Sequence, residues 1–398
     1  MNINRYNSTF IGLLLFHFSV LLFLIGDISI SYKEALIFFE NDKLLLSFIT
    51  NTSCSIFGQN DYSLRIPFVL FYIGSSILIY LLTDNYFKLK RDQLISLAIF
   101  MVLPGVNSAA LLVNESIIVI FFTLLYLYLY KVKNRNSYWL LIVFLFLDNS
   151  FAILFLALFF YSLKKKENIL LVLSLVLFGI SMSMYGFDMG GRPRGYFLDT
   201  FGIYATIFSP VLFIYFFYSL YRIGLKYEKD IFWYISITAL SLSLIFSLRQ
   251  KIQIEDFAPF VVISIPIMVK LFTHSLRIRL KEFRKIHYFI ARFALVILVL
   301  NFLGFVFNKY FYLFIENPKK HFAYDYHLAK ELSSELKNID VDSILTSDKS
   351  LALRLRFYKI KAGDKFYITY HKSQHYNYLI DIKYHNKSID KFYIHTFK

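Results

Sequence analysis

Long blocks of apolar residues are the feature that most restricts how this chain of 398 residues can fold. The blocks are about 20 residues long, which is the length of helix that crosses the ~30 Å hydrocarbon core of a bilayer. Lipid offers no hydrogen-bonding partner to the backbone, so a spanning chain must form helices or a closed barrel. The alternating pattern of a membrane barrel is missing. The sequence therefore predicts a polytopic α-helical membrane protein.

We predict about eleven membrane segments in the first three quarters of the chain. They lie at residues 8–30, 66–83, 94–113, 115–131, 137–148, 150–163, 168–186, 204–222, 231–248, 257–273 and 288–309. Asp148 and Asn149 interrupt one long apolar run between the fifth and sixth segments, and we interpret them as an outward turn. A single broken helix at this point is the alternative, which would change the count and reverse the side of the C-terminus.

The charge of the chain, +16 at neutral pH, is concentrated in short loops. With a cytoplasmic N-terminus, most Lys and Arg residues of these loops lie inside, as the positive-inside rule expects. No basic helix or zinc-finger spacing points to nucleic acid. The first segment lacks a small-residue cleavage site and is interpreted as a retained helix rather than a cleaved signal. These patterns predict a multi-pass membrane protein, in contact with lipid and not with nucleic acid.

The tail of the chain differs from the rest because its polar and apolar residues alternate with helix and strand periods. We predict helices at 326–339 and 349–358 and strands at 343–346, 365–370 and 376–382. The predicted organisation is a transmembrane domain at 1–309 and a small extracytoplasmic α/β domain at 310–398. The first outer loop, 31–65, is too long for a simple turn, and residues 36–49 within it are predicted to form an interfacial helix.

Motifs in and after this first loop occur in a characteristic order. Tyr32-Lys33-Glu34-Ala35-Leu36 follows the first helix, Ile56-Phe57-Gly58 comes next, and Tyr62-Ser63-Leu64-Arg65-Ile66-Pro67 opens the second helix. Further along stand Leu103-Pro104-Gly105, Asn114-Glu115, Ser209-Pro210, and Arg249-Gln250-Lys251 before Pro259 and Pro266. This order resembles the GT-C membrane glycosyltransferases of family 39, which include protein O-mannosyltransferases and the lipid A aminoarabinose transferase. The sequence departs from that pattern at Lys33, Glu115 and Asn149, where the family usually has Asp, Asp and Lys.

The resemblance implies transfer of a sugar from a polyprenyl-phosphate-linked donor to a lipid, glycan or protein acceptor on the extracytoplasmic face. Such a displacement needs a base for the acceptor's proton and cations for the departing phosphate. Glu34 is the candidate base, and Glu115 is the second candidate catalytic acid, which would orient the acceptor or help to hold a metal. The candidate phosphate-binding residues are Arg65, Arg192, Arg194, Arg249 and Lys251. Arg65 is also a candidate for organising the first loop.

Each of these residues also has a purely structural interpretation. Glu34 can be a surface carboxylate at a helix end, Glu115 part of a polar turn, and Arg65 an interfacial anchor. Glu255 and Asp256 can neutralise Arg249 and Lys251. No cofactor is predicted with certainty: a divalent metal ion is left open, and no phosphate-binding glycine loop is present. The single cysteine, Cys54, cannot form an internal disulfide.

Two other functions stay open. One is a catalytically inactive relative that acts as an envelope assembly subunit, which Lys33 favours. The other is a lipid or sugar transporter or flippase, which would call for inverted repeats and charges at mid-membrane depth. Several histidines are interpreted as interfacial or surface residues without ligand spacing: His17, His321, His327, His371 and His375.

Overall fold

The computed structural model describes residues 2–186, 189–190, 192, 194–371 and 376–396. Helices dominate the N-terminal three quarters, and a small sheet lies near the C-terminus. The helices are α1 (Asn2–Asp27), α2 (Tyr32–Glu40), α3 (Leu44–Phe57), α4 (Asp61–Leu82), α5 (Lys90–Val102), α6 (Pro104–Leu111), α7 (Glu115–Lys133), α8 (Tyr138–Leu147), α9 (Phe151–Lys165), α10 (Asn168–Met184), α11 (Phe197–Phe208), α12 (Pro210–Lys226), α13 (Ile231–Ser247), α14 (Ile254–Val262), α15 (Ile265–Ile278), α16 (Lys281–Val306), α17 (Ala329–Asn338) and α18 (Lys349–Phe357). The strands are β1 (Met189–Gly190), β2 (Lys251–Ile252), β3 (Ser343–Thr346), β4 (Lys361–Thr369), β5 (Tyr378–Tyr384) and β6 (Lys387–Thr396).

The apolar blocks are helical, as predicted. Each of the eleven predicted membrane segments overlaps one helix or a pair of successive helices. In the described part of the chain, five helices are long and apolar enough to cross a membrane, or seven spans if each bent pair counts as one. Helices α8, α10 and α13 have 10–17 residues. The number of eleven spans therefore stays a prediction, whereas a multi-pass membrane protein is the plain consequence of these helices.

Proline residues mark the two sharp bends in the membrane helices. Proline lacks the backbone N–H and disfavours the helical conformation in the residue before it. Pro104 begins α6 after a bend of 57° from α5, and Pro210 begins α12 after a bend of 106° from α11. Ser209, between α11 and α12, has a positive φ of 75°. The predicted segment at 204–222 therefore contains a sharp turn, and whether it is one span stays a prediction.

Contacts divide the chain into two compact units. The first consists of Met1–Phe18, Phe68–Ala110 and Asn114–Phe302, and the second of Ser19–Pro67, Leu111–Val113 and Leu303–Lys398. The residues of the first outer loop thus fall in the same unit as the C-terminal tail. The predicted domain boundary at residue 309 stays a prediction.

The first unit is a bundle in which α9 packs against α10 and α13, and α14 packs against α7 and α13. Aromatic residues fill its interior: the rings of Phe144 and Phe151 stack with centroids 4.4 Å apart, and Phe260 meets Phe151 edge-on. Two short strands, β1 and β2, pair antiparallel, with Met189 opposite Ile252 and Gly190 opposite Lys251. This pairing joins the loop before α11 to the loop before α14.

The first outer loop contains two helices, not one. Ser31 caps α2, which ends at Asn41 in a left-handed conformation (φ 55°) typical of helix C-termini. Helix α3 then begins at Leu44. The predicted interfacial helix at 36–49 is therefore wrong in its bounds, because the break at Asn41 lies in its middle. Leu44, Phe48 and Phe57 of α3 are strongly exposed apolar residues.

The C-terminal part of the second unit has a four-stranded sheet in the order β3-β4-β6-β5. Strand β3 runs parallel to β4, and the other neighbours are antiparallel. Buried leucines of α17 and α18 pack with the sheet residues Ile368, Phe392 and Ile394. The predicted α/β character is confirmed, and β3 coincides with the predicted strand at 343–346. Sequence reasoning missed β6.

Candidate functional site

Glu34 lies in the first turn of α2, in the second unit. Ser31 and Glu34 form a capping box, in which the Ser31 backbone N–H donates to Oε2 of Glu34 at 2.9 Å and the Glu34 N–H donates to the Ser31 hydroxyl. Such a box satisfies backbone donors at the start of a helix. The other carboxylate oxygen, Oε1, accepts from the backbone N–H of Val113 at 3.1 Å. Only 2% of Glu34 is exposed.

Arg65 is the charged partner of Glu34. One guanidinium nitrogen donates to Oε2 of Glu34 at 2.8 Å and to the Ser29 carbonyl at 2.9 Å. The other terminal nitrogen lies 3.5 Å from a carboxylate oxygen of Asp61. The residue is completely buried, and an unpaired charge would be very costly at such a site. The two acids therefore keep this cation inside the protein.

Residues near the C-terminus complete this group. The Tyr358 hydroxyl donates to Asp61 at 2.6 Å and accepts from the Ile30 backbone N–H at 3.0 Å. Lys330 forms an ion pair with the other oxygen of Asp61 at 2.9 Å. Burial, and then the charge of Asp61, raise the pKa of Tyr358, so its hydroxyl stays a donor at ordinary pH. We call Glu34, Asp61, Arg65, Lys330 and Tyr358 the Glu34–Arg65 cluster.

The cluster clarifies the two candidate roles of Arg65. Its terminal guanidinium nitrogens face two carboxylates and two backbone carbonyls, so a phosphate could bind only if some of these contacts were given up. The geometry favours the other predicted role, that of organising the first loop. Glu34 uses three acceptor positions of the roughly four that a carboxylate has, which leaves one on Oε1. Lys33, beside it, is exposed.

A separate cavity in the first unit contains two of the predicted phosphate-binding residues. Its volume is about 310 Å³, at the small end of the range for ligand pockets. The lining residues are Arg194, Tyr196, Asp199, Thr200, Ile203, Lys251 and Ile252. The sequence had identified Arg194 and Lys251 as candidates for this role. It had not predicted that they line the same cavity. We call it the Arg194–Lys251 cavity.

Local structure holds both cations in place. The guanidinium of Arg194 lies over the ring of Tyr196, 4.7 Å from its centroid, and the Tyr196 hydroxyl donates to the Arg192 carbonyl at 3.1 Å. The Tyr196 backbone N–H donates to the Ser247 carbonyl at 2.8 Å. The backbone at Lys251 is fixed by the pairing of β2 with β1, and its side chain is exposed. Among the described residues, neither cation forms a salt bridge with a carboxylate.

Three more predicted site residues lie in the first unit but do not line the cavity. Arg192 and Arg249 are exposed, on the loop before α11 and on the turn after α13. Glu115 is half-buried and is the first residue of α7, after the N-cap Asn114. The next residue, Ser116, donates its hydroxyl to the Glu255 carbonyl in the first turn of α14 at 3.0 Å. Three residues that line the cavity were not identified from the sequence: Tyr196, Asp199 and Thr200. The sequence signal for them was an arginine and a tyrosine in Arg194-Gly195-Tyr196, followed closely by the acid Asp199.

Metal ligation finds no support among these residues. In the ranges that the structure describes, no group of three or more His, Cys, Asp or Glu side chains could hold a metal ion. The role of Glu115 in holding a metal thus stays a prediction.

The histidines differ from expectation. His17, His321 and His327 are all buried, so their interpretation as interfacial or surface residues is wrong, whereas His371 is exposed and His375 lies outside the described residues. His327 accepts from or donates to the Tyr312 hydroxyl at 3.0 Å, and His321 stacks on the Tyr312 ring. Burial, followed by the charges of Lys309 and His321, lowers the pKa of His327 to about 3. Burial also lowers the pKa of His321.

Comparison with known proteins supports the resemblance drawn from the sequence. Residues 42–147 match the family model described as dolichyl-phosphate-mannose-protein mannosyltransferase. Over these residues the match confirms the predicted similarity to the GT-C membrane glycosyltransferases. No curated protein matches the chain significantly.

One solved structure is also similar to this chain. It is the crystal structure of ArnT from Cupriavidus metallidurans in the apo state, with 11% sequence identity and a TM-score of 0.47. The similarity covers 72% of this chain, which spans 62% of the ArnT chain.

Proposed function

We propose that this protein is a membrane glycosyltransferase that moves a sugar from a polyprenyl-phosphate-linked donor to an acceptor on the extracytoplasmic face of a bacterial inner membrane. The observation that carries the proposal is the cavity in which Arg194 and Lys251 lie, with no salt bridge to any carboxylate of the described residues. The family match at residues 42–147 supports the reaction class. A lipid, a glycan or a protein would serve as the acceptor.

The charges of the cavity suit the electrostatics of this transfer. The donor is a phosphodiester with one negative charge. When the bond between the anomeric carbon and the phosphate oxygen breaks, the leaving polyprenyl phosphate becomes a monoester and gains a second charge. Arg194, which lies over Tyr196, and Lys251, on the paired strand β2, would stabilise this developing charge more than the ground state. Arg192 and Arg249 are proposed to assist from the flanking loops.

Glu34 is the proposed base. An acceptor hydroxyl must lose its proton as it attacks, and a carboxylate with a free lone pair can take it. Oε1 of Glu34 has that lone pair, while its Oε2 is held by Arg65 and the Ser31 backbone. Arg65 would then position the base rather than the phosphate. Glu115 is proposed as a second acid that orients the acceptor.

The test uses purified protein in nanodiscs with a panel of labelled polyprenyl-phosphate sugars and a lipid extract as acceptor. We expect transfer from at least one donor. Lys251→Gln and Arg194→Gln should each lower the turnover about 10²–10³-fold, the usual effect of removing one charge-stabilising group. Lys164→Gln and Arg135→Gln, at exposed positions elsewhere, serve as matched controls. Absence of transfer with every donor, or equal activity of all four variants, would reject the proposal.

An inactive envelope assembly subunit is the second candidate, and the Glu34–Arg65 cluster favours it. Three donors occupy Glu34, and the adjacent position where the family has an acid is the exposed Lys33. Such a subunit should co-purify with a stable partner and should show no transfer. Lys251→Gln should also leave the activity of the complex unchanged.

A further inference from the structure

We infer that Asp199 selects the sugar at the Arg194–Lys251 cavity, favouring an uncharged, hydroxyl-bearing sugar and disfavouring a uronic acid. This inference rests on the proposed function, since it concerns the donor of that reaction. Among the described residues that line the cavity, Asp199 is the one acid. It was not selected from the sequence.

The position of Asp199 is fixed by the start of α11. Tyr196 precedes the helix, and the Thr200 backbone N–H donates to the Tyr196 carbonyl at 2.9 Å. Asp199 thus stands in the first helical turn, one turn from the ring that supports Arg194. Its side chain is exposed to the cavity solvent, and within the described residues it has no salt bridge with Arg194 or Lys251. A carboxylate that is not consumed by its neighbours is available to a ligand.

Charge balance identifies what that ligand presents. Within the described lining, two cations and one carboxylate leave one net positive charge, which matches one phosphodiester. The carboxylate accepts hydrogen bonds only, so it fits the hydroxyl groups of a sugar attached to that phosphate. A sugar carboxylate at the same place would face a like charge, and a few ångströms of separation in a partly solvated site make this contact unfavourable. In this assignment Arg194 and Lys251 bind the phosphate, and Asp199 accepts hydrogen bonds from sugar hydroxyls.

Asp199 can be replaced without a large effect on folding. It is exposed, and its contribution through the dipole of α11 is limited to the small value typical of an acid in a first turn. Asp199→Asn keeps the size of the side chain and removes its charge. Asp199→Glu keeps the charge and lengthens the side chain. These two variants therefore separate charge from shape.

The experiment measures binding of two synthetic donors, farnesyl phosphoglucose and farnesyl phosphoglucuronate, to the protein in nanodiscs of neutral lipid. The wild type should bind the glucose compound about tenfold more tightly than the glucuronate compound. In Asp199→Asn this ratio should fall to about two or less, mainly because the glucuronate compound binds more tightly. Asp199→Glu should restore the preference, and Asp364→Asn, an exposed acid in the C-terminal sheet, should keep it unchanged.

Failures of the two proposals can be told apart. If binding of both compounds depends on Lys251 but Asp199→Asn leaves the ratio unchanged, Asp199 does not select the sugar and only this inference is overturned. If neither compound binds, or if Lys251→Gln leaves the binding unchanged, the cavity is not a donor site. The donor site in the proposed function is then rejected as well.

Discussion

The Glu34–Arg65 cluster and the Arg194–Lys251 cavity are built from the same kinds of charged residue, yet they differ in how those charges are satisfied. In the cluster, Arg65 is fully buried and faces two carboxylates. In the cavity, Arg194 and Lys251 are exposed and lack such partners in the described part of the chain. A charged side chain that is paired with opposite charges stabilises the fold, whereas an exposed charged side chain without such partners can bind a ligand. The comparison teaches that partners, not residue type, separate the two roles.

The largest expected effect is on stability, in the cluster. Arg65→Leu would leave Glu34 buried without its cation and Asp61 paired only with Lys330, and breaking a buried pair in this way typically costs about 3–5 kcal/mol. Thermal unfolding in detergent measures the change. Arg194→Leu, at the cavity, should stay within about 0.5 kcal/mol of the wild type. Equal small shifts for both variants would remove the distinction between the two regions.

The second prediction concerns binding at the cavity. The double variant Arg194→Gln/Lys251→Gln should weaken the binding of farnesyl phosphate about a hundredfold, since each charged contact contributes about 1.5 kcal/mol or more. Because the cations are exposed, salt should weaken binding to the wild type and have little effect on the variant. Titrations at low and high salt measure both quantities. If the wild-type affinity is independent of salt, exposed cations are not what binds the phosphate.

A third prediction uses pH in the second unit, near His327. Its pKa is lowered to about 3 in the folded protein, against an ordinary value of 6.5. The unfolded chain therefore binds the proton more readily, so stability falls as the pH drops below 6.5. From pH 7 to pH 5 the loss should be about 2 kcal/mol.

Hydrogen exchange of α17 and the C-terminal sheet at the two pH values measures this loss. His327→Gln removes the titrating group and should flatten the dependence. A variant that keeps the full dependence would assign the effect to another group, such as His321, whose pKa is also lowered.

The smallest effect is expected at the edge of the cluster. Tyr358→Phe removes the hydrogen bonds to Asp61 and from the Ile30 backbone, but Arg65 and Lys330 still neutralise Asp61. Because the Ile30 N–H is the main group left without its partner, the loss should be about 1 kcal/mol, at the low end of the range for such groups. Tyr378→Phe, at an exposed tyrosine, is the matched control and should be neutral in the same thermal unfolding measurement. A neutral result for both would show that Tyr358 is not part of the cluster.

Much of the helical scaffold follows from the sequence because apolar blocks must be helical in lipid. The bends were harder to predict from the sequence, because a proline can also lie in a helix without a sharp turn, as Pro67 does in α4. Pro104 and Pro210 explain the bends only once the structure is known. The break at Asn41 depends on a single residue in the left-handed conformation. Strand β6 was missed because its polar and apolar residues do not alternate: Asp390 and Lys391 are adjacent, and the three residues Phe392–Ile394 are all buried.

The candidate site was predictable only in part. Charge and loop position selected Arg194 and Lys251, but their shared cavity depends on the pairing of Gly190 with Lys251, which are distant in the sequence. The burial of Arg65 depends on Asp61, one helical turn away, and on Glu34 in another helix. No local pattern reports such partners. Asp199 resembles any acid at a helix start until the lining of the cavity is known.

The bend of 106° before Pro210 also bears on how a ligand arrives. With α12 aligned along the membrane normal, α11 would run nearly parallel to the bilayer plane, with the cavity at its first turn. A molecule anchored by a long hydrocarbon tail could then approach by two-dimensional diffusion, with its tail still dissolved in the leaflet. Its search would be set by its density in the leaflet and not by its solubility in water.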